Sequence, residues 1–295
     1  MNSSSLVEQL PLAFDPKIYR ESNPDLAGMT DQEQRRHYIR YGMDEGRRCH
    51  ALADRFAFAT LARNRDSLEI GPFNTPLLRG PRIRYFDVLD SEGLRERAVR
   101  LGRPVEGIPE RIHFVSPTGD LSVVEGKFDA VLSSHVIEHQ PDLIRHLKAI
   151  EPLLRPGGAY LLLVPDKRYC FDHPHAPSTI ADVLEAHYSK RVIHSLQSQL
   201  EHDALTTHNN GPAYWAGERA QPKSVVERAS EVLARYRAAP DVYVDVHAWY
   251  FTPTSFAEII GLLRELGHIS LRVARMYPSL RNNNEFWAAL EPDPR

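Results

Sequence analysis

Two uninterrupted apolar runs with one amphipathic stripe between them constrain this chain more than any other feature. Phe128–Ser134 (FDAVLSS) and Ala159–Pro165 (AYLLLVP) each read as a strand covered on both faces by helices. Between them Leu143, Ile144, Leu147, Ile150, Leu153 and Leu154 keep the three-and-four spacing of a buried helical stripe, and Pro156-Gly157-Gly158 is expected to break it. Strand, helix and strand in that order predict a parallel pair.

The same alternation begins upstream. SLEIGPFNTPLL, Ser67–Leu78, is a short strand running into a turn at Gly71-Pro72, and RIRYFD is a second strand ending at Asp87, sixteen residues after Gly71. A third is expected at Ile112–Val115. An acid at the end of the second strand faces the ribose hydroxyls of a nucleotide-like ligand, which open α/β sheets bind at the carboxyl edge of their strands. The turn lacks the G-x-G-x-x-G of dinucleotide-binding proteins, which argues against a nicotinamide-dependent oxidoreductase. Near the end, LRVARMYP and EFWAALE read as closing strands joined at Asn282-Asn283-Asn284. The expected fold is therefore α/β and Rossmann-like, with a mainly parallel sheet and an antiparallel closing strand.

Two segments fall outside that alternation. Residues 1–62 read as a helical N-terminal module, with Asp15-Pro16 starting one helix and Thr30–Glu33 forming a capping box for another that stops at Gly42. Residues 63–295 form the main domain. Within it about 166–240 is a polar, histidine-bearing helical insertion after the fifth strand, placed to act as a lid over the carboxyl edge.

At 295 residues the chain can bury a full core, and with 36 basic against 39 acidic residues it has no bulk attraction to nucleic acid. Cys49 and Cys170 show neither a disulfide framework nor a C-x-x-C metal pair. No apolar run approaches a membrane span, and the polar start MNSSSLVEQL lacks the pattern of a leader, so a soluble cytoplasmic protein is expected.

The string SLEIGPF, then Asp87, FDAVLSSHVIEHQPD and LLRPGGAYLLLVPD resembles the class I S-adenosylmethionine-dependent methyltransferases. With PDKRYCFD and DVHAWYFTPTSF added, residues 65–291 resemble a methyltransferase group associated with bacterial surface polysaccharide and O-antigen synthesis. FDPKIYRESNPDL and HYIRYGMDEGR, within residues 14–47, resemble a short helical module attached to glycosyltransferases and other surface-glycan enzymes. The resemblance implies S-adenosylmethionine as methyl donor and a sugar hydroxyl, on a nucleotide-sugar or glycan, as acceptor. A small phenol or amine acceptor, a catalytically silent scaffold, a glycosyltransferase partner and a homo-oligomer stay open. It implies a donor site of Glu69, Gly71, Pro72, Asp87, Val88, Asp120, Ser134 and His135; Asp166, Arg168 and Tyr169 after the fifth strand and Asp245 before the last helix are further polar candidates for the acceptor. Two points depart from the family pattern: Pro72-Phe73 replace glycine in the first motif, and Ser116–Gly119 intervene before Asp120.

An alcohol needs a base or a metal to lose its proton at neutral pH. His135, Glu138 and His139 share one face if the chain is helical from Val136, and His247 is a further candidate. Three readings stay open for this group: one histidine as general base, Glu138 and His139 as ligands of a divalent metal, or a structural role holding a helix end and its loops.

Overall fold

The computed structural model describes residues 5–293. In chain order the elements are α1 (Pro16–Ser22), α2 (Asp31–His37), α3 (Arg55–Arg63), β1 (Ser67–Ile70), β2 (Ile83–Asp87), α4 (Ser91–Arg100), β3 (Phe114–Val115) and β4 (Phe128–Ser134). They continue with α5 (Leu143–Ile150), β5 (Leu154–Pro165), α6 (Ile180–Tyr188), α7 (Leu196–Ala204), α8 (Gly211–Trp215), α9 (Val225–Ala238), α10 (Pro253–Glu265), β6 (Leu271–Tyr277) and β7 (Glu285–Pro292).

The strands form one seven-stranded sheet in the order β3-β2-β1-β4-β5-β7-β6. Neighbours from β3 to β5 run parallel, and β7 pairs antiparallel with both β5 and β6. The α/β expectation holds, including the closing hairpin. Chain order reverses between β1 and β4, which is where an open sheet of this kind leaves a crevice at its carboxyl edge.

Alternation along the strands divides the core into two layers. Leu68, Ile70, Val131, Leu162 and Val164 face α5, α6 and α10, while Ala130, Leu132, Leu161 and Leu163 face α3, α4 and the segment Leu6–Leu10. Both layers are anchored by aromatics: Phe256 meets Phe286 edge-on in the first, and Phe58 stacks on Trp287 in the second, 5.8 Å between centroids. The N-terminal residues accordingly divide. Phe14, Tyr19, Leu26, Tyr38 and Cys49 make a small core of their own, whereas Leu6, Val7, Leu10, Leu52, Phe58, Ala59 and Ala62 join the sheet. Local signals behave as expected: Asp15 caps α1, Thr30 and Glu33 close a capping box on α2, and Thr252 with Ser255 does so on α10.

One boundary differs. Sequence reading starts the fifth strand at Ala159, after a proline-glycine break, yet β5 begins at Leu154 and runs through Pro156-Gly157-Gly158. A 3₁₀ turn over Glu151–Leu153 has already ended the helix. Leu154 pairs with Phe128, and the register then slips between Phe128 and Ala130. A Cβ on Gly158 would lie 3.0 Å from the carbonyl oxygens of Arg155 and Asp129, so glycine serves a tight strand contact there. Among the described residues no helix is long and apolar enough to cross a membrane.

His146 of α5 is buried beneath this sheet, with Nε2 3.0 Å from the Tyr160 hydroxyl, which in turn lies 2.7 Å from Ser133 Oγ. Burial pushes its pKa down to about 4, so the folded protein binds this proton more weakly than the unfolded chain does. Stability from the neutral ring is complete above pH 6.5 and is lost as pH falls towards 4, by about 3 kcal/mol. His146→Phe should therefore be about 1 kcal/mol less stable at pH 8, through the lost hydrogen bond, and more stable than the parent near pH 4. Urea unfolding at the two pH values checks the crossover; parallel acid limbs would contradict it.

Candidate functional site

The edge where the sequence places the donor is built by β1, β2 and the turns that leave them. Glu69, buried near the end of β1, accepts hydrogen bonds from the Leu77 and Leu78 N–H groups, both 2.8 Å. Burial raises its pKa to about 7 against the opposing pull of those two donors. The carboxylate thus ties down the whole loop that displays Pro72 and Phe73. Gly71 has φ +68, and a Cβ there would stand 2.8 Å from Val136 Cγ2, so glycine is required by both backbone and space. At the end of β2, Asp87 Oδ1 accepts from Val88 N–H at 2.7 Å and from Leu89 N–H at 3.4 Å, and burial lifts its pKa above the usual range. Asp120 caps the turn after β3 through Ser122 N–H and the Ser122 hydroxyl.

The neighbouring edge, at the ends of β4 and β5, is lined with histidine and carboxylate. The chain leaves β4 at Ser134, and His135 takes a left-handed φ of +54, after which a 3₁₀ turn spans Ile137–His139. No α-helix starts at Val136, so the expected shared helical face does not form. The tight turn instead aims Glu138 inward, where it is 1% exposed. Around Glu138 Oε1 lie His135 Nδ1 at 4.0 Å, His139 Nε2 at 3.9 Å and His247 Nε2 at 3.8 Å. His247 arrives from the segment before α10, laced onto the turn by two bonds: Ala248 N–H to the Glu138 carbonyl at 2.7 Å, and Trp249 Nε1–H to the Gln140 carbonyl at 2.6 Å.

Each ring turns its other nitrogen to a carboxylate. His135 Nε2 lies 2.8 Å from Glu285 Oε2, His139 Nδ1 3.0 Å from Asp245 Oδ1, and His247 Nδ1 2.7 Å from Asp172 Oδ2. Burial opposes the His139 cation, but Asp245 and Glu138 outweigh it and raise the pKa. Burial likewise opposes the Asp245 anion, and there His139 and Arg97 outweigh it and hold the carboxyl well below its usual range. His247 is driven down to about 3, chiefly by burial, and burial lifts Asp172 to about 6. A cavity of about 120 Å³ opens on this group, bordered also by Cys170, Phe171, Asn209 and Asn284.

The structure therefore brings His135, Glu138, His139 and His247 together and adds Asp245. Ser134 stands beside them, its Oγ accepting from the Arg55 guanidinium. Asp166, Arg168 and Tyr169 go elsewhere. The Asp166 carboxylate is buried and taken by Arg168 and by the Ser279 hydroxyl, while the Tyr169 ring stacks on Trp215 at 3.7 Å. Four participants escaped the sequence reading. Arg55 comes from α3, Glu285 opens β7, and Asp172 and His202 sit in the insertion, with His202 Nδ1 accepting the His247 N–H at 3.1 Å. Only the acids and histidines near the strand ends could have signalled Asp172 and Glu285.

Residues 32–259 match a family described as methyltransferase domain. The chain belongs to that family. It carries an S-adenosylmethionine-dependent methyltransferase domain. No curated protein matches the sequence. Among solved structures, it is similar to the mitomycin 7-O-methyltransferase MmcR, at 15% identity and a TM-score of 0.36 over 77% of this chain and 48% of that one. The methyltransferase thus spans about half the length of that protein. It is also similar to the DhpI-SAH complex, at 13% identity and a TM-score of 0.37 over the full length of both chains. For the CcbJ methyltransferase from Streptomyces caelestis the values are 12% and 0.38, over 85% and 94%.

The residues at the donor edge fit the cofactor this family uses. Gly71 leaves the turn free of a side chain that would strike Val136, and Asp87 offers a buried carboxylate at the carboxyl edge of β2. In calorimetric titration, Asp87→Ala should weaken S-adenosylhomocysteine binding by about 1 kcal/mol or more. Gly71→Ala, strained at positive φ, should weaken it comparably. Unchanged affinity in both variants would contradict this placement.

Proposed function

We propose that this methyltransferase methylates a hydroxyl of a sugar, carried on a nucleotide or within a growing surface glycan. The observation behind the reading is His135. Its Nε2 lies 2.8 Å from Glu285 Oε2, and the tautomer that donates there leaves Nδ1 as a bare acceptor on the wall of the cavity. When bound, S-adenosylmethionine supplies an electrophilic methyl group.

This chain's residues supply alignment and proton removal. The acceptor proton passes to His135 Nδ1, and the Glu285 carboxylate steadies the resulting imidazolium. Arg55, 3.3 Å from Glu285 Oε2 and bonded to Ser134, holds that carboxylate in place. The left-handed backbone at His135 costs on the order of 1–3 kcal/mol, a strain tolerated where a side chain must be aimed. Asp87 and the Gly71 turn hold the donor. Cys170, Phe171 and Asn209 bring the 166–240 insertion onto the cavity wall, where it acts as a lid excluding water.

Three features favour a sugar. The Asn209 and Asn284 amides offer donors and acceptors to hydroxyls, the Phe171 ring offers a face to C–H groups, and the helical module of residues 14–47 resembles one found in surface-glycan enzymes. In this reading that module docks a glycosyltransferase of the same assembly.

His135→Ala should lower kcat on a nucleotide-sugar acceptor by about 100-fold or more, a loss larger than any accompanying change in S-adenosylhomocysteine affinity. Methyl transfer from labelled donor across sugar and phenol panels checks the acceptor. Turnover confined to phenols would overturn the sugar assignment, and full activity in His135→Ala would remove it as the base.

A further inference from the structure

We propose that Glu138, His139 and His247 form a binding site for a divalent transition-metal ion, open to the acceptor cavity.

Glu138 is 1% exposed, and neither of its carboxylate oxygens meets a hydrogen-bond donor among the described residues. A buried carboxylate without a donor is among the most costly arrangements a protein can hold. What surrounds Oε1 is not a hydrogen-bonding shell but the Nε2 atoms of His139 and His247, at 3.9 and 3.8 Å. Those are the nitrogens left bare when the Nδ1 atoms face Asp245 and Asp172. Three electron-pair donors therefore face one another; Asp172 hydrogen-bonds the far nitrogen of His247, and Asp245 lies 3.0 Å from that of His139 without a well-aligned hydrogen bond. A carboxylate on the far nitrogen orients and strengthens metal-ligating histidines.

The spacing suits an ion. Metal–ligand bonds of 2.0–2.1 Å put neighbouring ligand atoms about 3.3 Å apart in a tetrahedron; the two Glu138–histidine distances stand about half an ångström beyond that, and all three ligand atoms lie within 4.8 Å of one another. The two rings stand 4.6 Å apart at 88°, which lets both aim at a common point without clashing. Two imidazoles and one carboxylate select zinc or manganese over magnesium and calcium, which prefer oxygen alone. Three protein ligands leave a coordination position facing the cavity, the pattern of a catalytic rather than a structural site. The neighbouring group of Asp172, His202 and His247 is a poorer candidate, because His247 Nδ1 already engages Asp172 and His202 Nδ1 already accepts the His247 N–H.

Such an ion would polarise the acceptor hydroxyl beside His135 Nδ1, 4.0 Å from Glu138 Oε1. That consequence rests on the hydroxyl-methylation reading, whereas ion binding stands or falls alone. The competing occupant is a proton shared between Glu138 and its histidines.

The test uses the full chain, stripped with EDTA and exchanged into metal-free buffer. It is titrated calorimetrically with zinc, manganese and magnesium chlorides, with metal content counted by mass spectrometry and S-adenosylhomocysteine binding measured on the same sample. The expected result is one equivalent of zinc or manganese, with magnesium at least about tenfold weaker. Glu138→Gln and His247→Gln should each weaken uptake at least about tenfold, and Asp172→Asn by about 10- to 100-fold. Glu138→Gln also guards against misfolding. Without metal its thermal midpoint should equal or exceed the parent's, since an unpartnered buried charge is gone, while the metal-induced rise disappears. No uptake by protein that still binds S-adenosylhomocysteine, or uptake that Glu138→Gln leaves intact, overturns the site. Loss of S-adenosylhomocysteine binding in the stripped parent would instead count against the donor-edge account.

Discussion

Strand β4 is buried on both faces and flanked by β1 and β5, so the chain that leaves it at Ser134 must turn within the cleft where the sheet changes direction. The exit uses a left-handed residue and a single 3₁₀ turn. Two bonds from Ala248 and Trp249 then clamp that turn from the far side. From this geometry follow the inward aim of Glu138, the approach of His247 and the closeness of the polar group to the donor edge at Gly71. Val136 is the link: it follows His135 and packs where a side chain on Gly71 would have to go.

The price of this arrangement is a concentration of buried polar groups. Glu138, Asp172, His247 and Glu285 are all nearly excluded from water, and each charge among them is costly unless matched. Pairing His135 with Glu285 and His247 with Asp172 offsets part of the cost, and Arg55 and Arg97 reach in from α3 and α4 to balance further carboxylates. Two well-packed apolar layers, closed by Phe58 on Trp287 and Phe256 on Phe286, carry the stability that such a site consumes. Arg55 shows why the N-terminal segment cannot be separated cleanly from the sheet: the helix that buries Phe58 also delivers a guanidinium to Ser134 and Glu285 at the carboxyl edge.

How much of this was legible in the sequence depends on the range of the interaction. Strand and helix identities were legible, because FDAVLSS and the Leu143–Leu154 stripe carry their periodicity locally. Caps at Asp15, Thr30 and Thr252 were legible for the same reason. The start of β5 was misread because a bulge against Phe128 let Pro156-Gly157-Gly158 stay in a strand, a tertiary effect that outweighs local propensity. In the candidate site, His135, Glu138 and His139 stood out as a cluster, but the helical face expected for them gave way to a 3₁₀ turn. The carboxylates that orient the histidines lie far along the chain, at 172, 245 and 285, and no spacing rule links them. Asp166, Arg168 and Tyr169 looked like acceptor contacts because they follow β5. In the structure the Asp166 carboxylate is bound to Arg168 and Ser279, and the Tyr169 ring stacks on Trp215.

The proposed donor site runs along β1 and β2, with the reactive end of the donor directed at the His135–His247 cavity. A crystal structure of the protein with S-adenosylhomocysteine tests it most directly. The account predicts ribose hydroxyls on the Asp87 carboxylate, the amino-acid end against the Gly71 turn and the sulfur facing the cavity bordered by His135 and Phe171. Density for the ligand elsewhere, or a sulfur pointing away from that cavity, would contradict it.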